Sequence, residues 1–111
     1  MDDLLAGSAV HVPTIRPFEI GNALLMLYRR KRLSRDHYTE SRMLLDRLPV
    51  SLDHEGPRLA ATRIADLAID HELTVYDAAY LELAVRKQLS LATRDQSLSR
   101  AARRLGVPLH S

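Results

Sequence analysis

The sequence predicts an α/β domain in which helices are layered on a small parallel sheet. Short apolar runs alternate along the chain with longer segments whose apolar side chains recur at helical spacing, an alternation typical of layered α/β proteins. The helical fraction is high and the sheet is small. With 111 residues, of which 46% are hydrophobic, the chain is long enough to bury one core. We therefore expect a single domain over residues 1–111.

The first elements are a strand and two helices. Ala9 to Val12 is predicted to be a short strand that ends at Pro13, because proline has no N–H to donate to a neighbouring strand. From Thr14 to about Lys31 the apolar side chains follow helical spacing, and we expect this helix to be mostly buried. Ser34 is a suitable cap for a second helix that runs to about Leu48.

Strands and helices continue to alternate in the rest of the chain. Thr74 with Asp77 three residues later resembles a capping box, which marks the start of a helix. Gly106 marks the end of the last helix. The predicted elements are a strand at Val50 to Asp53, a helix from about Arg58 to His71, a helix from Val75 to about Lys87, a strand at Leu89 to Thr93, a helix from about Gln96 to Leu105 and a strand at Val107 to Leu109.

Composition excludes several classes of function. The chain has no cysteine, which excludes disulfides, thiolate zinc sites and thiol catalysis, so any bound metal should be hard and oxygen-bound. With four glycines and no glycine-rich phosphate loop, dinucleotide-binding and P-loop functions are excluded as well. No apolar run reaches the roughly 20 residues of a membrane span, and the acidic start at Asp2 and Asp3 does not suit a secretory signal. We expect a soluble cytoplasmic protein.

Positive charge is clustered although the formal net charge is only +2. Both clusters could contact phosphate, and the alternative is a solvated helix end and a solvated helix face. The first cluster is Arg29, Arg30, Lys31, Arg32 and Arg35, and the second is Arg94, Arg100, Arg103 and Arg104.

Three carboxylates are candidates for chemistry, and each has a structural alternative. Asp95 follows a predicted strand, at the sheet edge where open α/β proteins bind ligands, but it could simply cap the next helix. Asp77 could complete the Thr74 cap. Glu19 falls on the helix expected to be mostly buried, so it should be paired with Arg16 or another arginine, protonated, or bound to a cation. Together at one edge, the three acids fit an octahedral magnesium or manganese site.

Three segments together resemble PIN domains of the VapC toxin type. They are Pro13 to Glu19 with Asn22, then Leu73 to Tyr80, and then Leu91 to Asp95. The resemblance covers nearly the whole chain and implies a three-layer fold with a small parallel sheet flanked by helices. It implies an endoribonuclease that hydrolyses RNA phosphodiesters with Mg2+ or Mn2+, is paired with a protein antitoxin and forms a homodimer. By this resemblance the catalytic and metal-binding residues would be Glu19, Asp77 and Asp95, supported by Asn22, Thr93 and Arg94.

The chain departs from the resembled family at its start. PIN domains begin with a central strand that ends in a further aspartate, and Asp2 and Asp3 do not fit that position because no apolar strand precedes them. We expect the central first strand to be missing, through truncation or with the gap filled by dimerisation, a partner strand or rearrangement. The resemblance thus implies an inherited metal site and leaves open whether this chain alone cleaves RNA.

Two other functions compete with the nuclease. The same surface could bind an antitoxin or RNA without cutting it, as a non-catalytic PIN-like module. A small basic DNA-binding protein would explain Arg100, Arg103 and Arg104, but no recognition-helix pattern accompanies these charges.

Overall fold

The sheet of this α/β protein has three strands in the order β1, β2, β3 in a computed structural model that describes residues 5, 6 and 9–110. Strand β1 (Leu5–Ala6) pairs antiparallel with β2 (Ala9–Pro13), and β2 pairs in parallel with β3 (Val50–Asp53). The predicted α/β class and the strands β2 and β3 are confirmed. Strand β1 was not predicted, because two residues are too short to show an alternating pattern. Asp2 and Asp3 lie outside the described residues.

The helices occupy the predicted segments. They are α1 (Arg16–Arg29), α2 (Arg35–Asp46), α3 (Gly56–Leu59), α4 (Ala65–His71), α5 (Val75–Lys87) and α6 (Gln96–Arg104). A π-helical turn, Ala60–Ile64, joins α3 to α4, so the helix expected from about Arg58 to His71 is interrupted in its first half. Each helix in the described part of the chain is too short or too polar to cross a bilayer.

Side-chain caps fix where several helices begin. The hydroxyl of Ser34 accepts a hydrogen bond from the His37 amide at 3.1 Å, and the hydroxyl of Thr74 does the same for the Asp77 amide at 3.1 Å. Each bond satisfies an amide that has no partner inside its own helix. At the other end of α6, Gly106 has a φ of 72°, a left-handed conformation that glycine adopts without strain. These predicted helix boundaries are confirmed.

The two last predicted strands are much shorter than expected. Leu91 and Leu109 form an isolated parallel bridge, in which the Leu91 amide donates to the Pro108 carbonyl and the His110 amide donates to the Leu91 carbonyl, both at 2.9 Å. Pro108 has no N–H to extend this ladder. The prediction of strands over Leu89 to Thr93 and Val107 to Leu109 is therefore wrong in extent.

The chain forms two compact units, and the one that comprises the strands and α3 to α6 contains two apolar clusters. In this sheet-containing unit, helices α5 and α6 contribute to the larger cluster, which also includes Leu91 and Val107. The smaller cluster joins α5 to the helix before it through Ile64, Ala68 and Ala78. The apolar faces predicted for these helices are thus buried, and the core of this unit lies around α5.

The other unit is a helical pair, Ile15–Pro49, formed by α1 and α2. Tyr28 and Tyr38 stack with their ring centroids 5.1 Å apart, and the Arg35 guanidinium lies over both rings. Helix α1 has no buried residue, and Phe18 is 75% exposed, so the prediction that this helix is mostly buried is wrong. When two helices pack as a pair, each covers only one side of the other, and the side chains on the remaining sides stay exposed. The single-domain organisation stays a prediction.

Candidate functional site

Asp77 lies in the first turn of α5 and is half-buried. Its amide is held by the Thr74 hydroxyl, while Leu81 and Ala84, four and seven residues further along the same face of the helix, are buried in the core. Among the described residues, no group donates a hydrogen bond to the Asp77 carboxylate. The cap therefore depends on the Asp77 backbone and leaves its side-chain oxygens available to a ligand.

Asp95 is the N-cap residue of α6. Its Oδ2 accepts a hydrogen bond from the Leu98 amide at 2.8 Å, and its own amide donates to the Thr93 hydroxyl at 3.0 Å. The capping alternative is correct for Asp95, but the cap uses one of two carboxylate oxygens. Capping and cation binding are thus compatible at this residue. Thr93 fixes the backbone that carries the carboxylate.

The helices that carry Asp77 and Asp95 pack against each other in the sheet-containing unit. Leu81 and Ala84 of α5 share one apolar cluster with Leu98, Ala101 and Ala102 of α6. Both carboxylates lie at the N-terminal end of a helix, where the helix dipole stabilises negative charge.

Glu19 belongs to the helical pair, in the first turn of α1, and is exposed. The expectation that it is buried is wrong, because α1 buries none of its residues. Asn22, on the same helix, and Arg94, next to Asp95, are exposed as well. Glu19, Asp77 and Asp95 as one metal site remain a prediction.

The chemistry of these side chains fits a hard divalent cation. Magnesium and manganese prefer carboxylate and water oxygens, and the described part of the sheet-containing unit offers the carboxylates of Asp77 and Asp95. Within either unit taken by itself, the described residues hold no group of three His, Asp or Glu side chains placed to bind a metal ion. Water or a further carboxylate would have to complete the coordination of a cation at these two acids.

A buried charge cluster, formed by Asp53, Glu82 and Arg86, was not predicted from the sequence. The Arg86 guanidinium donates to Asp53 Oδ1 at 3.0 Å and to Asp53 Oδ2, and it donates to the Glu82 carboxylate at 2.8 and 3.0 Å. The carboxylate side chains are 5% and 1% exposed. Asp53 also accepts from the Gly56 amide at 3.1 Å. The cluster ties the end of β3 to the C-terminal half of α5.

The cluster shifts the pKa values of Asp53 and Arg86. Burial alone would raise the pKa of Asp53, but the hydrogen bonds and positive charge of Arg86 and the amides of Glu55 and Gly56 outweigh burial, so the pKa lies below its ordinary value of 3.8. Hydrogen bonds to Glu82 and then to Asp53 raise the pKa of Arg86. Asp53 and Arg86 are therefore both charged in the folded protein at neutral pH.

Comparison with known proteins points to one family. The profile of the PIN domain matches residues 1–104. Ribonuclease VapC1 from two strains of Mycobacterium tuberculosis, CDC 1551 / Oshkosh and ATCC 25618 / H37Rv, is 31% identical to the chain over 100 residues, which cover 88% of the chain and 71% of that protein. The crystal structure of PAE2754 from Pyrobaculum aerophilum superimposes with a TM-score of 0.58 at 24% identity over 82% of the chain, which supports the fold. The chain spans 64% of that protein's length.

Proposed function

The chain belongs to the PIN domain family, and from this we propose that it is a metal-dependent endoribonuclease of the toxin type that hydrolyses RNA phosphodiesters. One observation carries the proposal: Asp77 and Asp95 lie at the N-terminal ends of two packed helices and have carboxylate oxygens that no described group occupies. The similarity to Ribonuclease VapC1 supports RNA as the substrate. A protein antitoxin, a homodimer and action in the cytoplasm belong to the same proposal.

The residues of the chain have separate roles in this mechanism. Asp77 and Asp95 would hold a cation, Mg2+ or Mn2+, with Glu19 as a third acid. A bound divalent cation supplies an activated water at neutral pH and offsets charge on the phosphate. Thr93 and the Leu98 amide hold Asp95 in place through the bonds at 3.0 and 2.8 Å. The exposed Arg94 attracts the RNA backbone towards this end of α6.

Asp95→Asn separates the two roles of Asp95. Asparagine caps a helix about as well as aspartate, so we expect the midpoint of thermal unfolding to stay close to that of the wild type. It is a much weaker ligand for a hard cation, so RNA cleavage with Mg2+ or Mn2+ should fall to the metal-free rate, and Asp77→Asn should behave alike. Asp66→Asn is a matched control, because Asp66 is an exposed acid in the first turn of α4. Undiminished cleavage by both variants would refute the site.

A non-catalytic PIN-like module that binds an antitoxin or RNA is the second candidate. It is favoured by the finding that neither unit, within its described residues, gathers three potential metal ligands. Calorimetric titration with Mg2+ or Mn2+ distinguishes the two functions. Retained RNA binding without metal binding would favour the module, whereas metal binding that is lost in Asp95→Asn would favour the nuclease.

A further inference from the structure

A polar cavity of about 300 Å³ lies within the sheet-containing unit, apart from Asp77 and Asp95. It is bounded by the junction between α4 and α5 on one side and by α6 on the other. The lining residues are His71, Glu72, Ser97, Arg100, Ala101 and Arg104. Cationic and hydroxyl groups thus surround a space large enough for a phosphate group and part of a sugar.

The position of the arginines follows from α6. Arg100 and Arg104 are four residues apart, so they share one face of the helix. Ala101 is buried in the core beside them, which fixes how α6 is rotated. The Arg100 Nη2 lies 3.4 Å from the Ser97 hydroxyl, so this hydroxyl is next to the guanidinium. Arg103 is on the same helix but does not line the cavity.

The arginines of the cavity have no acid partner. In the described part of the chain, neither Arg100 nor Arg104 forms an ion pair with an acid. The Nδ1 atom of His71 is buried and has no hydrogen-bond partner among the described residues. His71 lines the same space, so its ring reports whether the cavity is occupied. A phosphate oxygen would accept from the two guanidinium groups and from the Ser97 hydroxyl.

Glu72 is the one acid among the lining residues and is exposed. Its negative charge weakens the attraction of the cavity for a free phosphate ion, which can only accept hydrogen bonds when fully ionised. A ribose hydroxyl next to a phosphate could donate to the Glu72 carboxylate. The charges therefore favour a sugar phosphate over inorganic phosphate.

The position of the cavity relates it to the proposed active site. Asp95 caps the start of α6, and Arg100 follows five residues later, which corresponds to roughly 7.5 Å along the helix axis. We propose that the cavity binds a backbone phosphate of single-stranded RNA, next to the phosphate held near Asp95. This inference rests on the proposed function, because the neighbouring phosphate near Asp95 belongs to that function. RNA bound at both places would run along α6.

Binding of a single-stranded RNA oligonucleotide to the full chain without divalent metal tests the cavity separately from cleavage. We expect the double variant Arg100→Gln and Arg104→Gln to bind RNA about tenfold or more weakly. The slope of log Kd against the logarithm of the salt concentration should fall by about 1 to 2. Arg103→Gln is the matched control and should change binding by less than about twofold, because this arginine lies outside the cavity. If the control loses as much RNA affinity as the single Arg100→Gln or Arg104→Gln variant, the proposal is overturned. Nonspecific electrostatic attraction by the arginines of α6 would then explain the binding.

Nuclear magnetic resonance of the His71 ring identifies the ligand. A shift of the Nδ1 resonance on addition of the oligonucleotide, larger than that with inorganic phosphate at equal concentration, supports a sugar phosphate. An equal shift with inorganic phosphate would overturn the assignment to RNA, as would a response to an acidic peptide alone. Cavity-dependent RNA binding without cleavage would refute the proposed function but keep this inference. If the wild type cleaves RNA with metal but the double variant binds RNA as tightly as the wild type, this inference is refuted and the proposed function is kept.

Discussion

At the scale of single residues, Arg86 is expected to contribute most to stability. Arg86→Ala would leave the buried carboxylates of Asp53 and Glu82 without their shared cation, and we expect a loss of about 3 to 5 kcal/mol in the free energy of unfolding. Urea denaturation followed by circular dichroism measures this loss. Arg58→Ala is the control, because the Arg58–Glu55 pair is exposed and its loss should leave the midpoint unchanged. Similar midpoints for both variants would show that the buried cluster is not stabilising.

Asp53 makes stability depend on acidic pH. Because its pKa is lower in the folded protein than in the unfolded chain, the folded state binds fewer protons at this group. Its stabilising contribution is complete above the ordinary pKa of 3.8 and is lost as the pH falls through the lower, folded value. We expect Asp53→Asn to flatten the fall in unfolding free energy below about pH 4. Urea titrations at several values between pH 5 and pH 2 give the unfolding free energy as a function of pH. If its slope against pH is the same in Asp53→Asn as in the wild type, acid unfolding is due to other carboxylates.

The sequence indicates these residues to different degrees. Asp77 and Asp95 could be placed from the sequence because each follows a local signal, a cap or the end of an apolar run. Glu82 and Arg86 also have a local signal, since they are four residues apart on one helix. Asp53 lies 33 residues from Arg86, and no local pattern connects them. The expectation that Glu19 is buried was wrong, because apolar spacing identifies a helix but does not show which other elements pack against that helix.

At the scale of elements, the start of α5 depends on one hydroxyl. Thr74→Ala removes the acceptor of the Asp77 amide and should lower the free energy of unfolding by about 1 kcal/mol. Thr74→Ser keeps an acceptor at the same position and should retain most of that stability, which makes it the matched control. Thermal unfolding of both variants checks the prediction. If serine destabilised the protein as much as alanine, lost packing of the threonine methyl group would be the cause.

Helices were predicted better than strands for a physical reason. A helix satisfies its amides within one segment, so caps such as Ser34 and Thr74 define its boundaries locally. A strand depends on a partner elsewhere in the chain. Leu89 to Thr93 has the composition of a buried strand, yet pairing stops after the bridge between Leu91 and Leu109, opposite Pro108. The π-helical turn Ala60–Ile64 has no sequence pattern that would have distinguished it from α-helix.

At the scale of the whole molecule, the two units differ in how much they bury. The sheet-containing unit has two buried apolar clusters and the charge cluster around Arg86. In the helical pair Ile15–Pro49, Tyr38 is the one buried residue. Local stability follows buried contacts, so we expect the helical pair to open more often than the rest of the described chain.

Amide hydrogen exchange of the full chain tests this difference. Protection factors in α1 and α2 should be at least about tenfold lower than in α5, because their amides are released by opening of a unit with little buried surface. The amides of α5 are the internal reference, and measurements at two protein concentrations show whether association contributes. Protection of α1 and α2 that rises with concentration would support the proposed homodimer and assign its contact to the exposed apolar side chains of this pair, such as Phe18 and Leu44. Protection equal to that of α5 at both concentrations would contradict the prediction, since the helices would then be as stable as the core without any partner.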